Sequence, residues 1–123
     1  MRHPNTYCAV GQKYKFTLNL CVSYGGRSEI VGAAKHLAQE VADGKIALDD
    51  INEKEFNDRM LTSASADPDL LVRTSEARLS NFLLWQLAYT EIQFVDKLWP
   101  ELTKQDIYSS LQSYSDRKRR FGK

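Results

Sequence analysis

Between residues 67 and 86 the chain reads D-P-D-L-L-V-R-T-S-E-A-R-L-S-N-F-L-L-W-Q. Two arginines, two serines and a glutamate fall between a short apolar run and a longer one. Arg73 sits in L-L-V-R-T (70–74), whose short, apolar, β-branched character predicts a buried strand. Arg78 precedes S-N-F-L-L-W-Q-L-A-Y (80–89), apolar almost all round and so predicted as a helix buried on most sides, with Ser80 as its N-cap. In an open α/β sheet, ligands gather at the carboxyl ends of the strands. A helix N-terminus adds unpaired N–H groups and a positive dipole. Two guanidiniums, a hydroxyl and a helix end converging on one point would hold a phosphate or a diphosphate. The same residue types also suit two solvated loop arginines beside a routine capping serine, and residue types alone leave both readings open.

Glu91 is expected at or just after the C-terminal end of that helix. The dipole there is negative, which disfavours a carboxylate by up to about 1 kcal/mol. A divalent cation beside a diphosphate would reverse the penalty, since magnesium typically takes one or two carboxylates plus substrate phosphates. The plain alternative is an exposed loop glutamate. The basic run R-K-R-R-F-G-K (117–123) is a weak signal for nucleic acid or a membrane surface at a net charge of +1. Cations at a helix C-terminus explain much of it. His3 and His36 are isolated, and neither a G-x-x-x-x-G-K phosphate loop nor a nucleophile elbow occurs.

The elements that must position these residues follow from pattern. K-F-T-L-N-L-C-V (15–22) reads as a strand and S-Y-G-G-R (23–27) as a turn. Ile30, Ala34, Leu37, Ala38 and Val41 recur at helical spacing, with Ser28 as the candidate N-cap and Gly44 as the stop. Asn52 and Glu55 form a capping box for a second helix, whose apolar face is Phe56, Met60 and Leu61. I-Q-F-V (92–95) reads as a strand. A last helix starts at Thr103 with Asp106 three residues on, and Ile107, Leu111 and Tyr114 form its buried stripe. The order strand, helix, helix, strand, helix, strand, helix predicts an α/β fold with a largely parallel sheet flanked by helices, its strands near 16–22, 70–74 and 92–95.

The bulk properties are compatible with that order. A length of 123 residues suggests one domain, with 1–16 an irregular lead-in. At 42% hydrophobic and 27% charged residues, the chain is too apolar for disorder. The small net charge argues against a nucleic-acid partner. Cys8 and Cys21 fit no zinc motif and read as two free thiols of a reducing compartment; with no visible signal peptide, a cytoplasmic location is expected. Peripheral contact with a membrane stays open.

The stretch D-P-D-L-L-V-R-T-S-E-A-R-L-S-N-F-L-L-W-Q-L-A-Y-T-E-I-Q-F-V-D-K-L-W-P-E-L resembles the C-terminal signature of the cis-prenyltransferases, the undecaprenyl and dehydrodolichyl diphosphate synthases. L-N-L-C-V-S-Y-G-G-R resembles the family's N-Y-G-G-R segment, and Arg120 with Gly122 its terminal R-x-G element. The likeness covers residues 17–122 and implies the C-terminal portion of that fold. It implies cis-condensation of isopentenyl diphosphate onto an allylic diphosphate, with magnesium as cofactor and a homo- or hetero-dimer as the common assembly. It assigns Arg73, Arg78, Leu79 and Ser80 to the isopentenyl diphosphate pocket, Glu91 to the magnesium, and Arg120 and Gly122 to an element reaching toward the adjoining subunit. There are departures. The family's R-T-S-G-E-x-R lacks one residue here, its glycine. Ser23 stands where asparagine is usual. The D-G-N-G-R-W-A segment, whose aspartate is central to catalysis, does not occur, nor does F-S-x-E-N-W. No catalytic residue is therefore assigned, and an allylic diphosphate is expected only if that other half is supplied. A short noncatalytic partner subunit or a diphosphate-binding protein is the alternative.

Overall fold

The computed structural model describes residues 17–117, together with the backbone of residues 6–9. The chain divides into two compact units, residues 1–65 and 66–123. The division falls in the S-A-S-A-D-P-D loop.

In the first unit, β1 (Thr6–Ala9) pairs antiparallel with β2 (Leu18–Cys21), and Tyr7 lies opposite Leu20. The expected strand is thus present, but it joins an antiparallel pair and not the parallel sheet. The lead-in, expected to be irregular, supplies the partner strand. A tight passage then leads into α1 (Gly26–Ala42). Ser23 takes φ 54°, in the left-handed region where asparagine is enriched. That preference accounts for an asparagine suiting this position. The N-cap of α1 is the extended Gly25, not Ser28, and no side chain caps it. Acidic Glu29 lies in the first turn instead, where the dipole favours it. Helix α1 ends at Asp43, and Gly44 follows at φ 68°, as a helix stop requires. Asn52 caps α2 (Glu53–Asn57) by accepting from the Glu55 N–H at 3.1 Å. Ala33, Leu37 and Met60 form the buried apolar core of this unit, while Leu61 is exposed. Arg59 joins the two helices, with one nitrogen 2.8 Å from Glu40 of α1 and another paired with Glu55 of α2.

In the second unit, β3 (Leu70–Thr74) pairs parallel with β4 (Glu91–Val95), from Leu70 opposite Glu91 to Thr74 opposite Val95. Both strands match expectation. The helix expected over 80–89 is replaced by successive turns. Ser80, Asn81 and Leu83 take φ of 49°, 66° and 45°, which interrupt a right-handed helix where it would nucleate. The remaining bonds mix spacings, Leu87 N–H to Leu83 O with Thr90 N–H to Leu87 O. Ser80 is accordingly no N-cap.

Helix α3 (Lys104–Asp116) begins with the expected capping box at Thr103 and Asp106. Its covered face differs from expectation. Ser110 is buried and its carbonyl accepts from the Gln93 side chain of β4 at 3.1 Å. Ile107 and Leu111 are 38% and 50% exposed. Polar contacts to β4 and to Lys97 accompany this rotation, which leaves Ile107 and Leu111 outward and Tyr114 half-buried. Among the described residues no helix is long and apolar enough to cross a membrane.

The capping box carries a pH prediction. A hydrogen bond from Lys97, then those from the Thr103 hydroxyl and N–H, hold the Asp106 carboxyl well below the usual carboxylate range. With the folded pKa below the unfolded value of about 3.9, the carboxylate stabilises α3 above that value and loses its effect as pH falls through the folded pKa. Asp106→Asn should therefore lower thermal stability near pH 6 and narrow the gap to wild type as pH falls below about 3. A gap that stays constant between these pH values would contradict the assignment.

Candidate diphosphate site

The turn after β3 gathers the charged residues of the second unit. Ser75 takes φ 61°, and its N–H bonds to the Val95 carbonyl at 3.0 Å. This is the position preceding the absent glycine, so a serine adopts the left-handed conformation that glycine enters without strain. Two tight backbone bonds follow, Glu76 N–H to Thr74 O at 2.8 Å and Arg78 N–H to Glu76 O at 2.9 Å.

The shortened loop keeps the two arginines together. Arg78 donates from Nε and Nη2 to the two carboxyl oxygens of Glu76, both at 2.8 Å. Arg73 Nη2 lies 3.5 Å from Glu76 Oε2 and donates to Ser80 Oγ at 3.4 Å. Arg73 Nε is buried without a hydrogen-bond partner among the described residues. Leu79 is half-buried between the exposed Arg78 and Ser80. Arg73 and Arg78 therefore converge on one carboxylate, and Ser80 reaches the group only through Arg73. The fork geometry of Arg78 suits a phosphate as well as a carboxylate. The helix N-terminus expected to assist is absent, so donors to an anion here come from side chains. Sequence reasoning did not single out Glu76; its place midway between Arg73 and Arg78 was the available signal.

Glu91 does not join this group. It opens β4 opposite Leu70, whereas Arg73 lies opposite Phe94. Three residues of strand separate those levels, about 10 Å. Its carboxyl lies 3.2 Å from Arg117 Nη1 and accepts from the Gln93 amide at 3.1 Å. A lone carboxylate already paired with a cation is a poor magnesium ligand, and the described residues contain no group of three or more metal-ligating side chains. The described residues do not build a magnesium site by themselves. Arg120 and Gly122 lie outside the described residues.

The first unit contains a separate feature that sequence reasoning missed. Glu29 is only 4% exposed, and its carboxyl accepts from the Tyr24 hydroxyl, from the Leu61 N–H at 2.9 Å and from the Thr62 hydroxyl at 3.4 Å. It ties the S-Y-G-G-R turn to the segment after α2. Beside it opens a cavity of about 600 Å³, lined by Tyr24, Gly25, Glu29, His36, Arg59 and Thr62 among others. An acidic residue one turn into a helix that starts on a glycine pair was the legible sign.

Comparison with known proteins fits the strand-and-turn arrangement. The family model for undecaprenyl diphosphate synthase matches residues 5–122. An isoprenyl transferase of Prochlorococcus marinus is 56% identical over 109 residues, covering 88% of this chain and 40% of that protein. A tritrans,polycis-undecaprenyl-diphosphate synthase (geranylgeranyl-diphosphate specific) of Picrophilus torridus is 51% identical, covering 89% of this chain and 44% of that protein. Among solved structures, lavandulyl diphosphate synthase from Lavandula x intermedia in complex with dimethylallyl diphosphate superposes with a TM-score of 0.80 at 45% identity, over 83% of this chain and 44% of that one. A probable undecaprenyl diphosphate synthase from Campylobacter jejuni gives a TM-score of 0.68 at 40% identity, over 83% and 45%. The chain thus spans less than half the length of these relatives. With the match running from residue 5 to residue 122 and identity above one half, the chain belongs to the undecaprenyl diphosphate synthase family of cis-prenyltransferases.

Proposed function

We propose that this chain supplies the isopentenyl diphosphate site of a cis-prenyltransferase. The observation that carries the reading is the convergence of Arg73 and Arg78 on one negatively charged group, with Ser80 Oγ beside Arg73. In that role Arg73 and Arg78 bind the diphosphate, neutralise part of its charge and orient the isopentenyl group for cis-condensation onto an allylic diphosphate. Leu79 belongs to the same pocket by motif, between Arg78 and Ser80. Support comes from the family and from a relative solved with dimethylallyl diphosphate.

The allylic diphosphate belongs to the half of the relatives that this chain does not match. Magnesium would shield diphosphate charge when bound, as is usual in the family. Its carboxylates would have to come mainly from elsewhere, since Glu91 faces Arg117. Arg120 and Gly122 are assigned by motif to the terminal element that reaches an adjoining subunit. The protein would work in the cytoplasm, peripheral to a membrane.

A second reading, a noncatalytic partner subunit, is favoured by one observation. In the first unit Leu18, Leu20 and Val22 are each more than half exposed, and in the second so are Phe94, Leu98 and Trp99. Apolar surface of this kind marks contact with another protein. Both readings keep the diphosphate site and include a homo- or hetero-dimer.

Calorimetric titration of pyrophosphate tests the site. A charge-assisted hydrogen bond to an anion contributes about 1.5–3 kcal/mol. Arg73→Ala should therefore weaken binding at least about tenfold, and Arg78→Ala, at a more exposed position, by a smaller factor. Equal binding by wild type and both variants, or no binding by any, would sink the proposal.

A further inference from the structure

We infer that Glu76 is an internal competitor for the diphosphate, an affinity-setting residue whose carboxylate occupies the arginine cluster until a ligand displaces it. The inference rests on the diphosphate reading above. Its basis is the geometry of one turn. Both oxygens of Glu76 are engaged by Arg78 at 2.8 Å, and one of them lies 3.5 Å from Arg73. No other arginine nitrogen pairs with this carboxyl among the described contacts. A phosphate bound in the fork of Arg78 Nε and Nη2, the edge turned toward Arg73 through Glu76, displaces the carboxylate from it.

The turn makes the competition local and persistent. Glu76 follows the left-handed Ser75 and is fixed by its N–H to Thr74 O, and Arg78 by its N–H to Glu76 O. The two side chains are therefore held two residues apart on a tight loop, where the pairing costs little entropy to form. Both are substantially exposed, 47% for Glu76 and 69% for Arg78. Water reaches them, so the carboxylate can swing out when a stronger anion arrives. A diphosphate carries more charge and more acceptor oxygens than a carboxylate. It can engage both Arg78 donors together with Arg73 Nη2 and Ser80 Oγ, the last of which Glu76 does not reach. Displacement is then favourable overall, but weaker than it would be at an unoccupied cluster.

Glu76→Gln keeps the size and hydrogen-bonding capacity of the side chain and removes its charge. An exposed ion pair contributes up to about 1 kcal/mol, so release of that competition should tighten pyrophosphate binding up to about fivefold. Damage to the fold would weaken binding, so a gain cannot come from misfolding. Titrations of pyrophosphate into wild type, Glu76→Gln, Arg78→Ala and the double variant Glu76→Gln/Arg78→Ala separate the outcomes. The inference expects a gain for Glu76→Gln in the wild-type background and a much smaller gain where Arg78 is alanine. Binding by wild type with no gain for Glu76→Gln overturns the inference and leaves the diphosphate reading intact. A gain of the same size without Arg78 also overturns it, because the glutamate would then act by general repulsion and not by occupying Arg78. Failure of every form to bind pyrophosphate overturns the diphosphate reading itself.

Discussion

Glu29→Ala is expected to lower the unfolding free energy of the chain by about 3 kcal/mol. The carboxyl is almost wholly buried and accepts from three groups spread over the sequence, Tyr24, Leu61 and Thr62. Alanine removes the acceptor from all three donors at once and leaves a space where the carboxyl stood. A buried donor left without a partner costs about 1–3 kcal/mol, and the Leu61 N–H cannot rotate to find another. Glu29→Gln should cost less, because the amide oxygen can still accept from one side. Denaturant unfolding measures the difference. A loss below about 1 kcal/mol for the alanine variant would show that water replaces the carboxyl and that the tie between the S-Y-G-G-R turn and residues 61–62 is weak. The cavity beside Glu29 shares its walls with the same residues, so its shape should change in step with stability.

The second large effect is an absence of turnover. The purified 123-residue chain is expected to incorporate no isopentenyl diphosphate into polyprenyl product. Condensation needs two substrates held in line at once, and most of the rate advantage of such a site is that orientation. The D-G-N-G-R-W-A and F-S-x-E-N-W segments that the family uses for the allylic partner do not occur here. Holding one diphosphate at Arg73 and Arg78 cannot substitute for them. Radiolabelled isopentenyl diphosphate with farnesyl diphosphate and magnesium gives the measurement. Labelled polyprenyl product from the chain by itself would show that an allylic site exists among the residues present.

Local rules were legible where local chemistry decides the structure. The Thr103–Asp106 box and the Asn52 cap follow from three-residue spacing, and both formed. The L-L-V-R-T and I-Q-F-V runs are short and apolar, and both became strands of one parallel pair. Patterns that depend on the surroundings misled. The run S-N-F-L-L-W-Q-L-A-Y has helical composition, yet left-handed φ angles at Ser80, Asn81 and Leu83 prevent a helix, and no propensity scale reports a φ angle. Ile107 and Leu111 read as a buried stripe because they are apolar. The polar grip of Gln93 on Ser110 and of Lys97 on Asp106 turned the opposite face inward. Strand β2 was foreseen as a strand, but its pairing with Thr6–Ala9 depends on a partner in a stretch without a clear period. At the candidate site, the closeness of Arg73 to Ser80 was legible from the strand ending near Arg73, whereas the pairing of both arginines with Glu76 was not. The position of Glu91 was not, because it depends on the register of β4 against β3.

The turn after β3 is proposed to bind a diphosphate. The most direct measurement is a crystal structure of the chain with isopentenyl diphosphate. Phosphate density is expected between the guanidiniums of Arg73 and Arg78, within hydrogen-bond reach of Ser80 Oγ, with the Glu76 carboxyl swung away from Arg78. Density for the diphosphate elsewhere, with the Glu76–Arg78 pair undisturbed at 2.8 Å, would contradict it.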